Sequence, residues 1–328
     1  MIKKDKDELS ELRLDLVSDD WVVISKARRM RPEMFSKKIS KRAVATRSQC
    51  PFCDPKILDR AIFKKGDIIS IPNDFPIFSY KDDLNERSLG PYHIMDGVGF
   101  HEVIITLDHN KHIALSKKEE IKDIIDVYQA RYLALKEYKF IKYISIFHNH
   151  GRAAGASIIH PHSQLVASPV IDPDLKDSID GAENYHKKHG ACVYCTMLDW
   201  DRKEGKRIIY ENESFIVLCP FAPQSDFEVR IYPKLHNPDF ENITDEEKMS
   251  FADAISVALG KIYKGLNDPD YNFYIHTAPI NVLGHKNYHW HLVILPKTSI
   301  FAGFEMSSSI EVNTISPEEA AEFLRKIK

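Results

Sequence analysis

Residues 151–169 read GRAAGASIIHPHSQLVASP, and the run His160-Pro161-His162-Ser163-Gln164 within them decides how the rest of the chain is read. In an extended segment alternate residues share a face, so His160, His162 and Gln164 form one row. At about 3.3 Å rise per residue, neighbours in that row stand roughly 6.6 Å apart. One histidine can then hold a metal while the next is presented to a substrate. Just upstream, Gly151, Gly155 and Ser157 make a small-residue loop whose backbone can approach phosphate oxygens.

Outward from this motif, the chain repeats itself. A Cys-x-x-Cys pair (Cys50, Cys53) is followed by the strand-like Glu102–Thr106 leading to His109. Then come an apolar helical stripe (Ile121, Ile124, Ile125, Tyr128, Tyr132, Leu135), a strand Tyr143–Phe147, and His160-Pro161-His162. The second half gives Cys192 and Cys195, the strand Phe227–Tyr232 leading to His236, and a stripe of Phe251, Ile255, Leu259 and Ile262. A strand Asn272–His276 and His289-Trp290-His291 complete it. The interval from His109 to His160 is 51 positions and that from His236 to His289 is 53. The expected fold is α+β: tandem duplicated units, each an antiparallel sheet with one long helix. The expected boundaries are 1–170 for the first half and 190–328 for the second, with Val170–Gly190 as linker. Ser116/Glu119, Thr244/Glu247 and Ser316/Glu319 are read as capping boxes opening helices, and Ile69–Phe78 as a Pro-containing loop.

With 328 residues, 43% hydrophobic and 28% charged, the chain has the composition of a globular protein with room for a large core. A net charge of −3 argues against a nucleic-acid partner, which calls for a basic excess. The basic run Lys26–Arg31 suits a small phosphorylated ligand instead. The opening MIKKDKDELSEL has no apolar leader core, and no later run is long enough to span a membrane, so the expected compartment is the cytoplasm. In a reducing compartment paired cysteines favour metal over disulfides.

Two thiolates and two imidazoles satisfy tetrahedral zinc with no open position, as a structural site requires. The expected quartets are Cys50, Cys53, His109, His160 and Cys192, Cys195, His236, His289; iron suits the same ligands. The plainer reading, unrelated buried thiols and hydrogen-bonded histidines, would account for one such pair but not for two in register. With His160 tied to metal, His162 is held but free to react. A neutral imidazole nitrogen can attack phosphorus and form a phosphoramidate, provided its other N–H has an acceptor. Gln164 can offer an amide N–H to a phosphate oxygen, and Ser157 and Asn149 can add polar contacts.

HPHSQ behind a Gly-Ala-Ser loop resembles the active-site signature of the histidine triad superfamily. The branch it is similar to is the galactose-1-phosphate uridylyltransferase family, with features also resembling ADP-glucose phosphorylase. The similarity runs from the Glu11–Ser25 pattern through Arg28–Pro32, Cys-Pro-Phe-Cys, Asp108-His109 and HPHSQ to Ala302–Met306. It implies that His162 accepts a nucleoside monophosphate from a nucleotide sugar and passes it to a sugar phosphate or phosphate in a ping-pong cycle. It further implies base and ribose contacts from Arg28, Arg31, Asn73, Asp74 and Phe75, phosphate contacts from Asn149, Gly155 and Ser157, and a sugar contact from Glu305. A homodimer, with Glu305 serving the neighbour's site, is also implied.

Gln164 stands where hydrolase branches carry a third histidine, and an amide cannot protonate a leaving group, which favours transfer over hydrolysis. Ser299 and Glu311 replace a Lys and a Gln of the uridylyltransferases, and the second Cys-x-x-Cys is more like the phosphorylase. Val293 occupies the place of Gln164 in the second half, which therefore reads as catalytically degenerate. The leading expectation is UDP-glucose:hexose-1-phosphate uridylyl transfer. The alternatives are an ADP-sugar phosphorylase using inorganic phosphate or another oxyanion, and a non-catalytic zinc-stabilised nucleotide-binding protein.

Overall fold

The computed structural model describes residues 9–28, 35, 46–280, 285–299 and 302–328. Its strands in chain order begin with β1 (Glu11–Leu14), β2 (Trp21–Ile24), β3 (Phe63–Lys65), β4 (Ile68–Pro72), β5 (Arg87–Leu89) and β6 (Tyr92–Ile94). They continue with β7 (Phe100–Thr106), β8 (Tyr143–His150), β9 (His162–Ser168), β10 (Ile208–Glu211) and β11 (Phe215–Leu218). The last are β12 (Val229–Pro233), β13 (Tyr271–His276), β14 (His291–Pro296) and β15 (Val312–Asn313). The helices are α1 (Lys118–Leu135), α2 (Pro173–His189), α3 (Val193–Glu204), α4 (Asp245–Gly265), α5 (Gly303–Ser308) and α6 (Pro317–Lys326).

Ten strands form one antiparallel sheet in the order β3-β4-β7-β9-β8-β13-β14-β12-β11-β10. Read inward from either edge, each half contributes its strands in the same internal order, with its fifth strand slotted between its third and fourth. A long helix links third to fourth in both halves, α1 in one and α4 in the other. The two runs meet where β8 pairs with β13, from Tyr271 opposite His150 to Ile275 opposite Ile146. The mixed α+β antiparallel architecture is as expected from the sequence. Among the described residues no helix is long and apolar enough to cross a membrane.

Period-two alternation sorts the strand residues into two layers. Ile104, Ile144, Ile146, Leu165, Val217 and Ile294 point to the helical face and are all buried against α1 and α4. Every residue of the two expected helical stripes is buried there. The other face carries a smaller cluster in each half: Ile69, Ile71, Val103 and Ile105 beside Ile57, and Ile216, Leu218 and Tyr232 beneath α2 and α3.

Three local expectations needed correction. Helix α1 starts one residue late for the box read at Ser116: the Ser116 hydroxyl is spent on the His112 carbonyl at 3.3 Å, and Glu120 instead accepts from the Lys117 N–H at 2.9 Å. The other two boxes form, with Glu247 N donating to Thr244 Oγ1 at 3.2 Å and Glu319 N to Ser316 Oγ at 3.3 Å. Ile69–Phe78 is not all loop, since Ile68–Pro72 is a strand, and its proline sits at the last position where no further ladder bond is required. The presumed linker is largely helix α2, capped by Asp172 Oδ1, which accepts from Leu175 N at 2.8 Å, with Pro173 in its first turn.

Helix α2 seats tightly on the turn between β1 and β2. A Cβ on Gly181 would come within 1.8 Å of the Val17 carbonyl oxygen. Helix propensity alone would make Gly181→Ala stabilising by about 1 kcal/mol. Against that backbone oxygen the sign reverses, and we expect a loss of roughly 1–3 kcal/mol. A denaturation midpoint at or above wild type would contradict the packing.

Candidate active site and metal centres

Strand β9 brings the motif to the non-helical face. Its register pairs His162 with Ile105 and Gln164 with Val103, so both side chains point where the Ile69–Ile105 cluster lies. Ser163 turns the opposite way, where Tyr128 of α1 donates its hydroxyl proton to Ser163 Oγ at 2.5 Å. The ring of His162 is held from two sides. Its Nδ1 lies 2.9 Å from the His160 carbonyl oxygen, and the Phe52 ring meets its edge with centroids 5.2 Å apart. A carbonyl only accepts, so Nδ1 carries the proton and Nε2 the lone pair. Burial holds the imidazole below its ordinary pKa, opposed by that bond to His160. At neutral pH the ring is uncharged with Nε2 as the free nucleophilic nitrogen, and among the described residues Nε2 has no hydrogen-bond partner.

The loop ahead of β9 is a compact turn. Gly151 has φ 83° and ψ 163°, a conformation that β-carbon-bearing residues avoid, and its carbonyl accepts from Ala154 N and Ala156 N at 3.2 and 3.0 Å. Asp270 and Asn272 of the second half tie this loop down: Ala153 N donates to Asp270 Oδ2 at 2.6 Å, and Asn272 Nδ2 donates to the Ala154 carbonyl at 2.8 Å. The same Asn272 nitrogen donates to Asn149 Oδ1 at 2.7 Å.

Cys50, Cys53, His109 and His160 converge. Cys53 Sγ is 3.2 Å from His109 Nδ1 and 3.6 Å from His160 Nδ1; Cys50 Sγ is 3.4 Å from His160 Nδ1; the two Nδ1 atoms are 3.2 Å apart. A tetrahedron with zinc bond lengths of about 2.3 Å to sulfur and 2.0–2.1 Å to nitrogen has edges near 3.5 and 3.3 Å. His160 Nε2–H donates to the Thr106 carbonyl at 2.7 Å, which leaves Nδ1 as the ligand atom. The second group, Cys192, Cys195, His236 and His289, repeats this. Cys195 Sγ is 3.6 and 3.7 Å from the Nδ1 atoms of His236 and His289, whose Nε2–H groups donate to the Lys286 and Pro233 carbonyls at 2.8 and 2.9 Å. Both quartets can hold a metal ion, and all five cysteines are free of disulfides.

A third convergence, His112, His150 and Asp268, is hydrogen-bonded differently. His112 Nδ1 accepts from Ala114 N at 2.9 Å, so its Nε2 carries the proton and faces His150 Nε2 at 2.8 Å. That is the tautomer of a hydrogen-bonded cluster, opposite to the one a metal ligand at Nε2 needs.

A family model described as the N-terminal domain of galactose-1-phosphate uridyl transferase matches residues 1–172. The chain belongs to that family. A second model, a domain of unknown function (DUF4921), matches residues 99–326. An ADP-glucose phosphorylase of Arabidopsis thaliana is 32% identical over 97% of this chain and 93% of its own. A galactose-1-phosphate uridylyltransferase of Thermotoga maritima is 30% identical over 97% and 98%. The solved structure of an Arabidopsis thaliana ADP-glucose phosphorylase with bound ADP-glucose superposes with TM-score 0.82 at 31% identity, covering 98% of this chain and all of that one. These relatives of the family are enzymes of the nucleotidyltransferase kind.

Of the contacts expected from the family pattern, Asn73 is brought to the site through His101. Asn73 Nδ2 lies 3.0 Å from His101 Nε2, which in turn is 2.9 Å from Gln164 Oε1. Asn149 and Gly155 belong to the strand end and loop beside His162, and Ser157 is exposed on the same loop. Asp74 is exposed and paired with Arg60, Phe75 is 89% exposed, and Arg28 is exposed after a short 3-10 turn. Glu305 accepts from Ala302 N at 3.0 Å within its own helix. Among the described residues none of these last four has a hydrogen bond or ring contact with His162. Arg31 lies outside the described residues. His101 and Asn272 escaped the sequence reading because only the sheet register sets them beside Gln164 and Asn149.

Proposed function

We propose that this enzyme moves a nucleoside monophosphate from a nucleotide sugar to a phosphate acceptor through a covalent intermediate on His162. The observation that carries it is the tautomer of His162: the Nδ1–H is committed to the His160 carbonyl and the Nε2 lone pair is uncommitted. In the first step Nε2 attacks the α-phosphorus, a P–N bond forms, the P–O bond to the β-phosphate breaks, and sugar 1-phosphate leaves. Positive charge developing on the ring is spread to Nδ1–H and stabilised by the His160 carbonyl. In the second step an oxygen of the acceptor phosphate attacks the same phosphorus and the P–N bond breaks, restoring the neutral ring.

Neither leaving group needs a proton at neutral pH, which is why an amide suffices at Gln164. A histidine there supplies a base that can take the proton of an attacking water, so we expect Gln164→His to raise the rate at which water clears the nucleotidyl adduct, read as a shorter adduct half-life without acceptor. An unchanged half-life would contradict this account of Gln164.

The leading donor is UDP-glucose with a hexose 1-phosphate acceptor. The ADP-glucose phosphorylase reading is favoured by the 32% identity to that relative over nearly the full chain. Incubating the protein separately with UDP-glucose and ADP-glucose and weighing it intact decides the nucleotide by the mass of the adduct. Galactose 1-phosphate against orthophosphate then decides the acceptor. No adduct from either donor would sink the proposal.

Zinc at both quartets, iron as the alternative, and a division into a chemical half (1–170) and a degenerate half (190–328) are part of the same reading. The degenerate half is supported by Val293 of β14, which sits opposite Arg230 of β12 and whose side chain has no hydrogen to donate. His291 repeats the bond of His162, with Nδ1 3.0 Å from the His289 carbonyl. A homodimer that brings Glu305 to a neighbouring site is supported by the exposed Phe304 and Met306 beside it, at 53% and 78%. A cytoplasmic location fits five cysteines kept as thiols.

A further inference from the structure

We propose that His101 and Asn272 are positioning residues that lock the amides of Gln164 and Asn149 with both NH2 groups turned to the reacting phosphate, an inference that rests on the transfer reading above. Each lock starts from a backbone group of a single polarity. Ile77 N–H donates to His101 Nδ1 at 3.1 Å, so in the neutral ring the proton sits on Nε2. That Nε2–H reaches Gln164 at 2.9 Å, and only the amide oxygen can receive it. The Asn73 NH2 group, turned to the ring because Asn73 Oδ1 accepts from Phe75 N, straddles the two ring nitrogens at 3.0 and 3.4 Å and does not take that proton. Burial lowers the His101 pKa, keeping the ring neutral and the tautomer in place.

On the other flank the Ala154 carbonyl can only accept, so the Asn272 atom facing it is the nitrogen. The second hydrogen of that nitrogen goes to Asn149, whose facing atom must then be its oxygen. Gln164 lies two residues beyond His162 on the same strand face. Asn149 lies on β8 one step past the His148–Ser163 pair, which sets it beside His162. Both amides have spent their oxygens on protein, and both keep N–H donors for an anionic phosphoryl group.

A flipped amide would put a carbonyl oxygen against phosphate oxygens, replacing attraction with repulsion. Preorganising donors before charge develops avoids reorientation during the reaction. One lock comes from β7 and the other from β13, so the second half contributes to the site of the first through Asn272 without chemistry of its own.

The test is single-turnover adduct formation at saturating nucleotide sugar in wild type, His101→Leu, His101→Gln, Gln164→Met and the His101→Leu/Gln164→Met double variant. We expect Gln164→Met to slow the step about 10²-fold and His101→Leu about 10-fold or more. His101→Gln, which keeps an N–H at a similar reach, should recover most of that loss. The double variant should be within about 3-fold of Gln164→Met alone, because the two act in series. Multiplicative losses, or a His101→Gln variant as slow as His101→Leu, would overturn the inference. On the Asn272 side, Asn272→Leu should slow the same step while Asn272→Gln or Asn272→Leu in an Asn149→Leu background adds nothing further; additive losses there would break that lock.

Nitrogen-15 spectra of the His101 ring at pH 7 provide a readout independent of turnover. A neutral Nε2–H tautomer supports the lock, and an Nδ1–H tautomer or imidazolium refutes it. If wild type forms no adduct, the transfer reading fails with the catalytic part of this inference, while the ring spectra still report on the amide orientation.

Discussion

His162→Ala is expected to abolish the covalent nucleotidyl adduct and to lower kcat/KM by at least about 10⁴-fold. The size of the effect follows from the number of jobs the one ring performs. In the proposed mechanism its Nε2 makes the only bond that links the two half-reactions, and its Nδ1–H, held by the His160 carbonyl, stabilises the charge that bond creates. The folding cost should be small by comparison, because the ring is on the non-helical face at the start of β9 rather than in the core packed by α1 and α4. A melting temperature near wild type alongside lost activity separates the two effects. Peptide mapping of the wild-type adduct completes the test. Label on His162 supports the assignment, whereas label on His291, which holds the same kind of carbonyl bond at 3.0 Å, would reverse the roles given to the halves.

The second large effect concerns the metals. Elemental analysis should find close to two zinc or iron ions per chain, and fewer than about 0.2 would refute both quartets. Cys53→Ser is expected to lower Tm by roughly 10 °C and adduct formation by at least about 10-fold. Cys53 bridges His109 and His160, and Phe52 beside it packs against the rings of His160 and His162, with centroids 5.7 and 5.2 Å apart. Loosening that corner therefore moves the nucleophile. Cys195→Ser should cost stability but leave adduct formation within about 3-fold, since its partners His236 and His289 serve the other half. Equal losses of adduct formation from the two substitutions would show that the first quartet has no special hold on His162.

Much of this was legible beforehand for a physical reason. Metal ligands and nucleophiles leave strong marks in sequence: cysteines at i and i+3, alternating histidines and a Gly-rich approach are costly to assemble by chance. Both quartets came together as read, and the helical stripes on Ile121–Leu135 and Phe251–Ile262 were buried as their period required. What went astray was local. The start of α1 depended on Ser116 being claimed by a preceding 3-10 turn, and α2 was hidden because its few apolar residues, Leu175, Ile179 and Ala182, look sparse until a second surface covers them.

The sequence alone determined the chemistry on offer: which side chains can bind metal, that His162 follows one of them, His160, by two, and that Gln164 rather than a third histidine follows it. Those properties belong to residue types and to spacing along one strand, and short-range geometry carries them. Tertiary structure decided orientation. Which nitrogen of His162 is free, which end of Gln164 faces His101, which end of Asn149 faces Asn272, and that Asn272 ties down the loop ahead of β9 all depend on register across the sheet. Residues about 60 to 120 positions apart meet there, and a hydrogen bond's direction is settled only when both partners are in place.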